Sequence, residues 1–305
     1  MLISVLVPTY RRPDDLARCL AGLERQTRRA DEVVVVHRED DLETRTVLSR
    51  FAKTLPVVAA AVSGPGAVRA YNLGLDTAAG DLVAITDDDA IPHTDWLARI
   101  ETHFAANETL GAVGGRDVVH EDGVAIAASR SVVGRIQWFG RVIGNHHLGR
   151  DGPRPVHVLK GVNMSFRRAA ITGRRFDARL RGAGAQVHLE IGLCTAVLKA
   201  GWGVVYDPEV RVDHFPARRH DDDQRTGFSA GAQVDAVHNE TLALLDYLPW
   251  ARRGLFVLWA TIVGTRQSPG AALALLTANR REGRDRFAAT MKGRAQGIGT
   301  WLRTR

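Results

Sequence analysis

Residues 2–7 read LISVLV, an almost unbroken apolar run. A strand with one wet face alternates apolar and polar residues, so a continuous run demands cover on both faces. The same signature returns at residues 33–36, 56–62 and 82–86, and predicts four buried strands. Amphipathic helices are expected between them. Pro13, Asp14 and Asp15 open the first, with acids where the helix dipole favours them, and Leu16, Cys19, Leu20 and Leu23 form its apolar stripe. Residues 67–79 form a second helix, weakened by Gly74 and ended by Gly80. Residues 95–106 form a third, capped by Thr94 and burying Trp96, Leu97, Ile100 and Phe104. Apolar strands alternating with helices predict an α/β fold with a mostly parallel sheet covered on both faces. Beyond Gly111 the pattern loosens, with a helix expected at 187–200 and short strands at 204–206 and 210–212.

The fourth strand runs into residues 84–92, AITDDDAIP. Ligands of open parallel sheets sit outside the carboxyl ends of the strands, where these three carboxylates lie. In an extended segment Asp87 and Asp89 project to one side while Asp88 points away. Two carboxylates on one side supply half of a hard-cation site and leave positions open for the phosphates of a substrate. The competing reading is a solvated acidic turn.

Around this motif the chain resembles the family 2 glycosyltransferases. The resemblance runs over about residues 2–216 and rests on VLVPTYRRPDDLARCLAGLERQ, DEVVVV, NLGLDTAAGDLVAITDDD, KGVNMSFRR, LEIGLCTAVLKAGWGVVYDP and VDHFP in this order. It implies a Rossmann-like sheet of the glycosyltransferase A type, residues 1–115 binding the nucleotide sugar and 116–240 carrying acceptor and catalytic functions. It also implies a nucleotide diphosphate sugar as donor and a divalent cation, Mn²⁺ or Mg²⁺. Carried over by position, Pro8, Thr9 and Tyr10 line the base pocket, with Arg12 beside them. Asn72 and Asn163 lie near the donor. Asp87 and Asp88 face the ribose side, and Asp89, with Asp87 and His214, holds the metal. A hydrogen-bonded histidine at a strand end is the other reading of His214. Glu190 takes the place of the catalytic base; an acid bordered by apolar residues has a raised pKa, which suits a group that removes a proton from an acceptor hydroxyl. Attack opposite the leaving diphosphate then inverts the anomeric centre. A helix N-terminal glutamate without catalytic role is the alternative.

The chain departs from the family pattern after the second strand, where it reads His37-Arg38-Glu39-Asp40-Asp41; Glu39 or Asp40 is the expected acid for base or ribose. Arg218 and Arg219 could clamp a diphosphate, or pair with Asp221–Asp223 in a loop. Trp138 and Trp202, with Gly182 and Gly184, could form an acceptor platform, with a core position the default for each ring.

The formal charge of +7 is unevenly spread. From Pro249 onward eleven basic residues face only Glu282 and Asp285, so this stretch carries +9 and the rest −2. Composition changes near Thr241, and residues 241–305 are expected to form a helical appendage. Its longest apolar run, residues 254–264, makes roughly 17 Å of helix against about 30 Å of hydrocarbon, too short to span. Flanking arginines instead suit a helix on an anionic membrane surface, which fits a lipid-linked or polysaccharide acceptor. A basic helix packed on the catalytic domain is the alternative. Basic charge interleaved with aliphatic residues, without nucleic-acid motifs, argues against a nucleic-acid partner. Two lone cysteines and no signal-like leader lead to an expected cytoplasmic location, peripheral on the inner membrane face. Against an enzyme stands a non-catalytic nucleotide-sugar-binding or membrane-docking module. A nucleotidyltransferase is disfavoured, because no glycine-rich loop follows the first strand.

Overall fold

The computed structural model describes residues 1–121, 123–126, 128–217 and 227–304. The chain divides into two compact units. One comprises Met1–Arg135, Ile143–Phe176 and Leu193–Ala217, the other Ile136–Val142, Asp177–Gly192 and Arg218–Arg305.

Chain order begins β1 (Ile3–Pro8), α1 (Pro13–Glu24), β2 (Glu32–Arg38), α2 (Leu42–Phe51), β3 (Val57–Val62), α3 (Ala67–Thr77) and β4 (Leu82–Thr86). It continues through β5 (Ala90–Pro92), α4 (Trp96–Ala106), β6 (Leu110–Glu121), β7 (Val124–Ala125), β8 (Arg135–Ile136), β9 (Val142–Ile143) and β10 (Arg154–Pro155). Then follow β11 (Asn163–Arg167), α5 (Arg168–Ile171), α6 (Leu189–Lys199), β12 (Gly203–His214) and four helices, α7 (Ala230–Tyr247), α8 (Trp250–Ile262), α9 (Ala271–Leu275) and α10 (Arg281–Arg303).

The first unit is built on one sheet in the order β10-β12-β6-β11-β4-β1-β2-β3, with β5 on β12 and β7 on β6. Strands β3, β2, β1 and β4 run parallel, and β11 enters antiparallel between β4 and β6. β1 and β4 are buried almost throughout, as their apolar runs require. Pro13 sits at the start of α1, and Leu16, Cys19, Leu20 and Leu23 are buried beneath it. Gly74 has a packing reason: a Cβ there would stand 2.1 Å from Leu6 Cδ1, so α3 rests directly on β1.

Three expectations need correction. β3 is mostly exposed and stands at the sheet edge, with no strand on its far side among the described residues. Thr94 does not cap α4; Asp95 occupies that position and makes no side-chain cap bond. The two short strands at 204–206 and 210–212 are one strand, β12, with an irregularity between Asp207 and Arg211 where its register against β6 shifts. In the second unit, α7 runs unbroken from Ala230 to Tyr247.

In that unit α10 packs against α7. A Cβ on Gly297 would lie 2.8 Å from Thr241 Cβ and 2.9 Å from the His238 carbonyl, so glycine permits the close approach. Buried Arg294 crosses the interface to Glu240 at 2.8 Å and Thr241 at 3.0 Å. α8 buries Phe256 and Ala260 and leaves Trp250, Leu258 and Ile262 exposed. Trp138, expected in a core, is also exposed, edge-on to Phe139; Trp202 is half-buried, its Cβ facing Gly111. No helix among the described residues is long and apolar enough to cross a membrane.

Candidate active site

Strand order 3-2-1-4 reverses direction of growth between β1 and β4, and a crevice opens at the carboxyl ends of strands at such a point. Residues 9–12 and 87–89 leave the sheet there. Thr9 Oγ1 donates to Asp88 Oδ2 at 2.8 Å, and Arg12 Nη1 donates to Asp88 Oδ1 at 2.8 Å. The loop after β1 and the acid motif after β4 are thereby tied across the crevice. Arg11 between them adopts φ +52°, a left-handed conformation that costs a non-glycine residue about 1–2 kcal/mol. Its N–H donates to Asp41 Oδ2 at 2.6 Å, and Asp41 also caps α2 through Thr44. Asp41, buried and bonded, was not among the sequence candidates; an Asp directly before a helix is the signal that marks it.

The three aspartates are not extended. Ala90 N–H donates to the Asp87 carbonyl at 3.2 Å and closes a turn, so the strand alternation expected of Asp87 and Asp89 does not apply. Each acid meets different partners. Asp87 Oδ1 accepts from Tyr71 on α3 at 2.8 Å. Asp88, expected to point away, is buried between Thr9 and Arg12. Asp89 Oδ2 accepts from Ala217 N–H at 3.0 Å and lies 3.8 Å from Arg12. Its Oδ1 stands 3.5 Å from His214 Nε2. β5 pairs with β12 so that Ala90 faces His214, and that register brings the acid turn to the histidine.

From His214 the charges continue inward. Its Nδ1 is 3.5 Å from Asp117 Oδ2, and Asp117, fully buried on β6, pairs with Lys160. Burial opposes the charge of His214, yet Asp117 and Asp89 on either side raise its pKa to about 9. Burial likewise works against ionised Asp89, but His214, the Ala217 N–H and Arg12 outweigh it and hold the carboxyl well below its usual range. For Asp88 burial wins: it is pushed up to about 7 against the pull of Arg12. Three cations, Arg12, His214 and Lys160, thus alternate with Asp88, Asp89 and Asp117.

Asp89 and His214 fit one divalent ion. Two ligands each about 2.1 Å from a common ion stand at most about 4.2 Å apart, and theirs are 3.5 Å apart. Among the described residues no group of three or more His, Cys, Asp or Glu could hold a metal. Remaining positions would fall to phosphate oxygens and water, as is usual for Mg²⁺.

Other sequence candidates are placed as follows. Pro8 ends β1 beside Val36, and Tyr10 carries the Arg38 guanidinium 3.7 Å over its ring. Glu39 and Asp40 are exposed in the turn after β2, Asp40 paired with Arg11 at 3.1 Å. Asn72 is used structurally: its amide donates to the Phe176 carbonyl and accepts the Phe176 N–H, both at 2.9 Å. Asn163 is wholly buried, accepting from Trp96 Nε1 at 2.9 Å and donating to the Val210 carbonyl at 2.8 Å. Its side chain is a framework link rather than a surface offered to a donor. Glu190 belongs to the second unit, half-buried in the first turn of α6 between buried Leu189 and Ile191. Arg218, Arg219 and Asp221–Asp223 lie outside the described residues. Tyr71, Asp117 and Lys160 had no sequence signal of their own, since each reaches the site from a separate element.

Residues 4–173 match the family described as glycosyl transferase family 2. The chain spans 33% and 35% of the length of the first two curated relatives it matches. It is 27% identical over 227 residues to the glucosyl-dolichyl phosphate glucuronosyltransferase of Haloferax volcanii, covering 70% of this chain and 69% of that one. Two solved structures share the fold. One is the mannosyltransferase PcManGT of Pyrobaculum calidifontis in complex with GDP-Man and Mn²⁺ (TM-score 0.57, 19% identity, 98% of this chain and 86% of that one). The other is S. aureus TarS 1–349 in complex with UDP-GlcNAc (TM-score 0.63, 13% identity, 99% and 89%). The fold is of the glycosyltransferase A type.

Proposed function

From the premise that the chain belongs to glycosyl transferase family 2, whose match covers more than half of it, we propose that it transfers a sugar from a nucleotide diphosphate sugar to a hydroxyl acceptor. The observation that carries this reading is the acid turn at the sheet's switch point, bound to Arg12 and Thr9 on one side and facing His214 on the other. Pro8, Tyr10 and the β2–α2 turn with Glu39 and Asp40 border the nucleoside. Arg12, already oriented by Asp88, turns positive charge toward the diphosphate.

Asp89 and His214 are the residues that would hold Mn²⁺ or Mg²⁺, with Asp87 nearby. A bound divalent ion would offset the charge that develops on the leaving diphosphate; the Mn²⁺ in PcManGT supports this choice. His214 must give up its proton to become a ligand. Glu190 accepts the proton of the acceptor hydroxyl as its oxygen attacks the anomeric carbon, and the donor bond to diphosphate breaks on the opposite face with inversion. The place of Glu190 in the family pattern, half-buried in the first turn of α6, supports this role. The acceptor is a saccharide or lipid-linked saccharide, consistent with the dolichyl phosphate in the name of one relative. The basic stretch after Pro249, with its exposed apolar side chains, works against the cytoplasmic face of an anionic membrane.

The test is thermal unfolding with a panel of nucleoside diphosphates, with and without Mn²⁺ or Mg²⁺, for wild type, Asp89→Asn and Glu190→Gln. A ligand at a hundred times its dissociation constant stabilises by about 2.7 kcal/mol. One diphosphate should stabilise the wild type and Glu190→Gln with metal but not Asp89→Asn, and Glu190→Gln should lose sugar transfer. Stabilisation with unchanged function in Glu190→Gln would leave a binding module instead.

A further inference from the structure

The second unit contains a cavity of about 410 Å³ beside α9 and the start of α10. Arg266, Arg280 and Arg286 line it, with Glu282 as the acid and Leu273 and Leu276 as apolar lining. Arg286 is engaged, paired with Glu282 at 2.7 Å and set over the Phe228 ring at 4.7 Å. Arg266 and Arg280 form no ion pair or side-chain hydrogen bond among the described residues. Three arginines against one glutamate leave the lining with an excess of two positive charges.

Guanidinium groups match the oxygens of a phosphate in a planar fork, which fixes the charge class of the occupant. The leucines fix its other half. A free phosphate has no use for apolar walls, and among the described residues no aromatic ring lines the cavity to stack on a nucleotide base. Leu276 is 77% exposed, as is its neighbour Leu275, so hydrocarbon surface continues from the cavity outward. We propose that this cavity binds the phosphate headgroup of a membrane lipid, with Arg266 and Arg280 on the phosphate oxygens and the hydrocarbon chain against Leu273 and Leu276. The assignment rests on the membrane-surface reading above and deepens it: general attraction to an anionic surface becomes recognition of one headgroup class.

The test uses the full chain and flotation with three vesicle types: phosphatidylcholine alone, and phosphatidylcholine with phosphatidic acid or with phosphatidylserine, matched for surface charge. Wild type should prefer the phosphatidic acid vesicles. Arg266→Ala/Arg280→Ala should lose that preference and bind them about 30-fold more weakly, the effect of two surface arginines together. Arg252→Ala/Arg253→Ala, which alters basic residues of α8 outside the cavity, should bind more weakly to both anionic vesicles and keep the preference. Both arginines of the first variant are exposed, so its melting temperature should match wild type. Equal binding at matched charge, or a preference that survives Arg266→Ala/Arg280→Ala, overturns the cavity assignment while the membrane reading stands. Binding to no vesicle overturns both. Protection by inorganic phosphate without any vesicle preference makes this a free-phosphate site and overturns the lipid assignment.

Discussion

Replacing Asn163 by leucine separates a framework residue from a ligand contact. The side chain has no exposed surface, and its amide holds three separated elements: Trp96 at the start of α4, Val210 on β12, and its own strand β11. Leucine keeps the γ-branched shape and opens no cavity, and its bulkier methyl groups add overpacking strain on top of the polar loss. It strands the indole N–H and the Val210 carbonyl, each buried. An orphaned buried polar group costs about 1–3 kcal/mol, giving about 2–6 kcal/mol for the pair. The third bond, to the Arg116 carbonyl at 3.4 Å, is too long to add much. Unfolding in urea at pH 7 measures the loss, and calorimetric titration with the stabilising nucleoside diphosphate, at a temperature where the variant is folded, measures affinity. The expected result is a stability loss in that range with affinity within threefold of wild type. A loss under 1 kcal/mol, or a tenfold weaker affinity in a variant of wild-type stability, refutes the framework role.

His146 gives a pH dependence. Burial lowers its pKa to about 4 from 6.5, so the unfolded chain binds a proton that the native one refuses; stability is complete above 6.5 and falls by about 1.4 kcal/mol per pH unit down to 4. Between pH 7 and 4.5 wild type should therefore lose about 2–3 kcal/mol more than His146→Gln, and equal losses would exclude the histidine as the cause. Gly297→Ala should destabilise despite a helix-propensity gain of about 1 kcal/mol, because its Cβ meets Thr241 at 2.8 Å. Gly254→Ala on α8, with nothing within 4 Å, should instead stabilise by about 0.5–1 kcal/mol in the same thermal melt; effects of one sign would contradict the packing argument. Arg12→Leu removes the cation beside Asp88, which burial already holds near 7 and which then takes up a proton at pH 7, so urea unfolding should show the loss of one charged hydrogen bond, about 1.5–3 kcal/mol, with no loss counting against the pairing.

The parallel half of the sheet was legible because burial on both faces writes itself into β1 and β4 as unbroken apolar runs. β3 has the same composition and is an edge; sheet order depends on which strands are neighbours, and composition does not carry that. β12 was read as two strands because Asp207 and Glu209 interrupt its apolar residues where the register shifts. In the site, the aspartates were found because they are contiguous. Their partners come from the loop after β1, from α3, and from the end of β12 with Ala217 beyond it, more than seventy residues away in some cases, as for Thr9 and Asp88. Asn72 and Asn163 were assigned by resemblance of position. Their actual partners are Phe176, Trp96 and Val210, which no local pattern announces.

The alternation of charge from Arg12 to Lys160 bears on what the acid turn is for. A buried ion pair is weak evidence of stability, since well-packed apolar residues of the same volume often serve as well or better. Three such pairs in a row, with His214 held charged between two carboxylates, cost the fold desolvation that an apolar packing would avoid. What the arrangement supplies is local neutrality at the open end of the sheet. A bare triplet of aspartates would repel a diphosphate; with Arg12 on Asp88 and His214 on Asp89, the incoming anion meets carboxylates already offset. On the proposed reading, His214 would exchange its proton for a divalent ion shared with Asp89, 3.5 Å away. The repulsion implied by three adjacent acids is therefore resolved first by the chain's own cations, and under the proposed function an ion arriving with the donor would replace one of them rather than fill an uncompensated site.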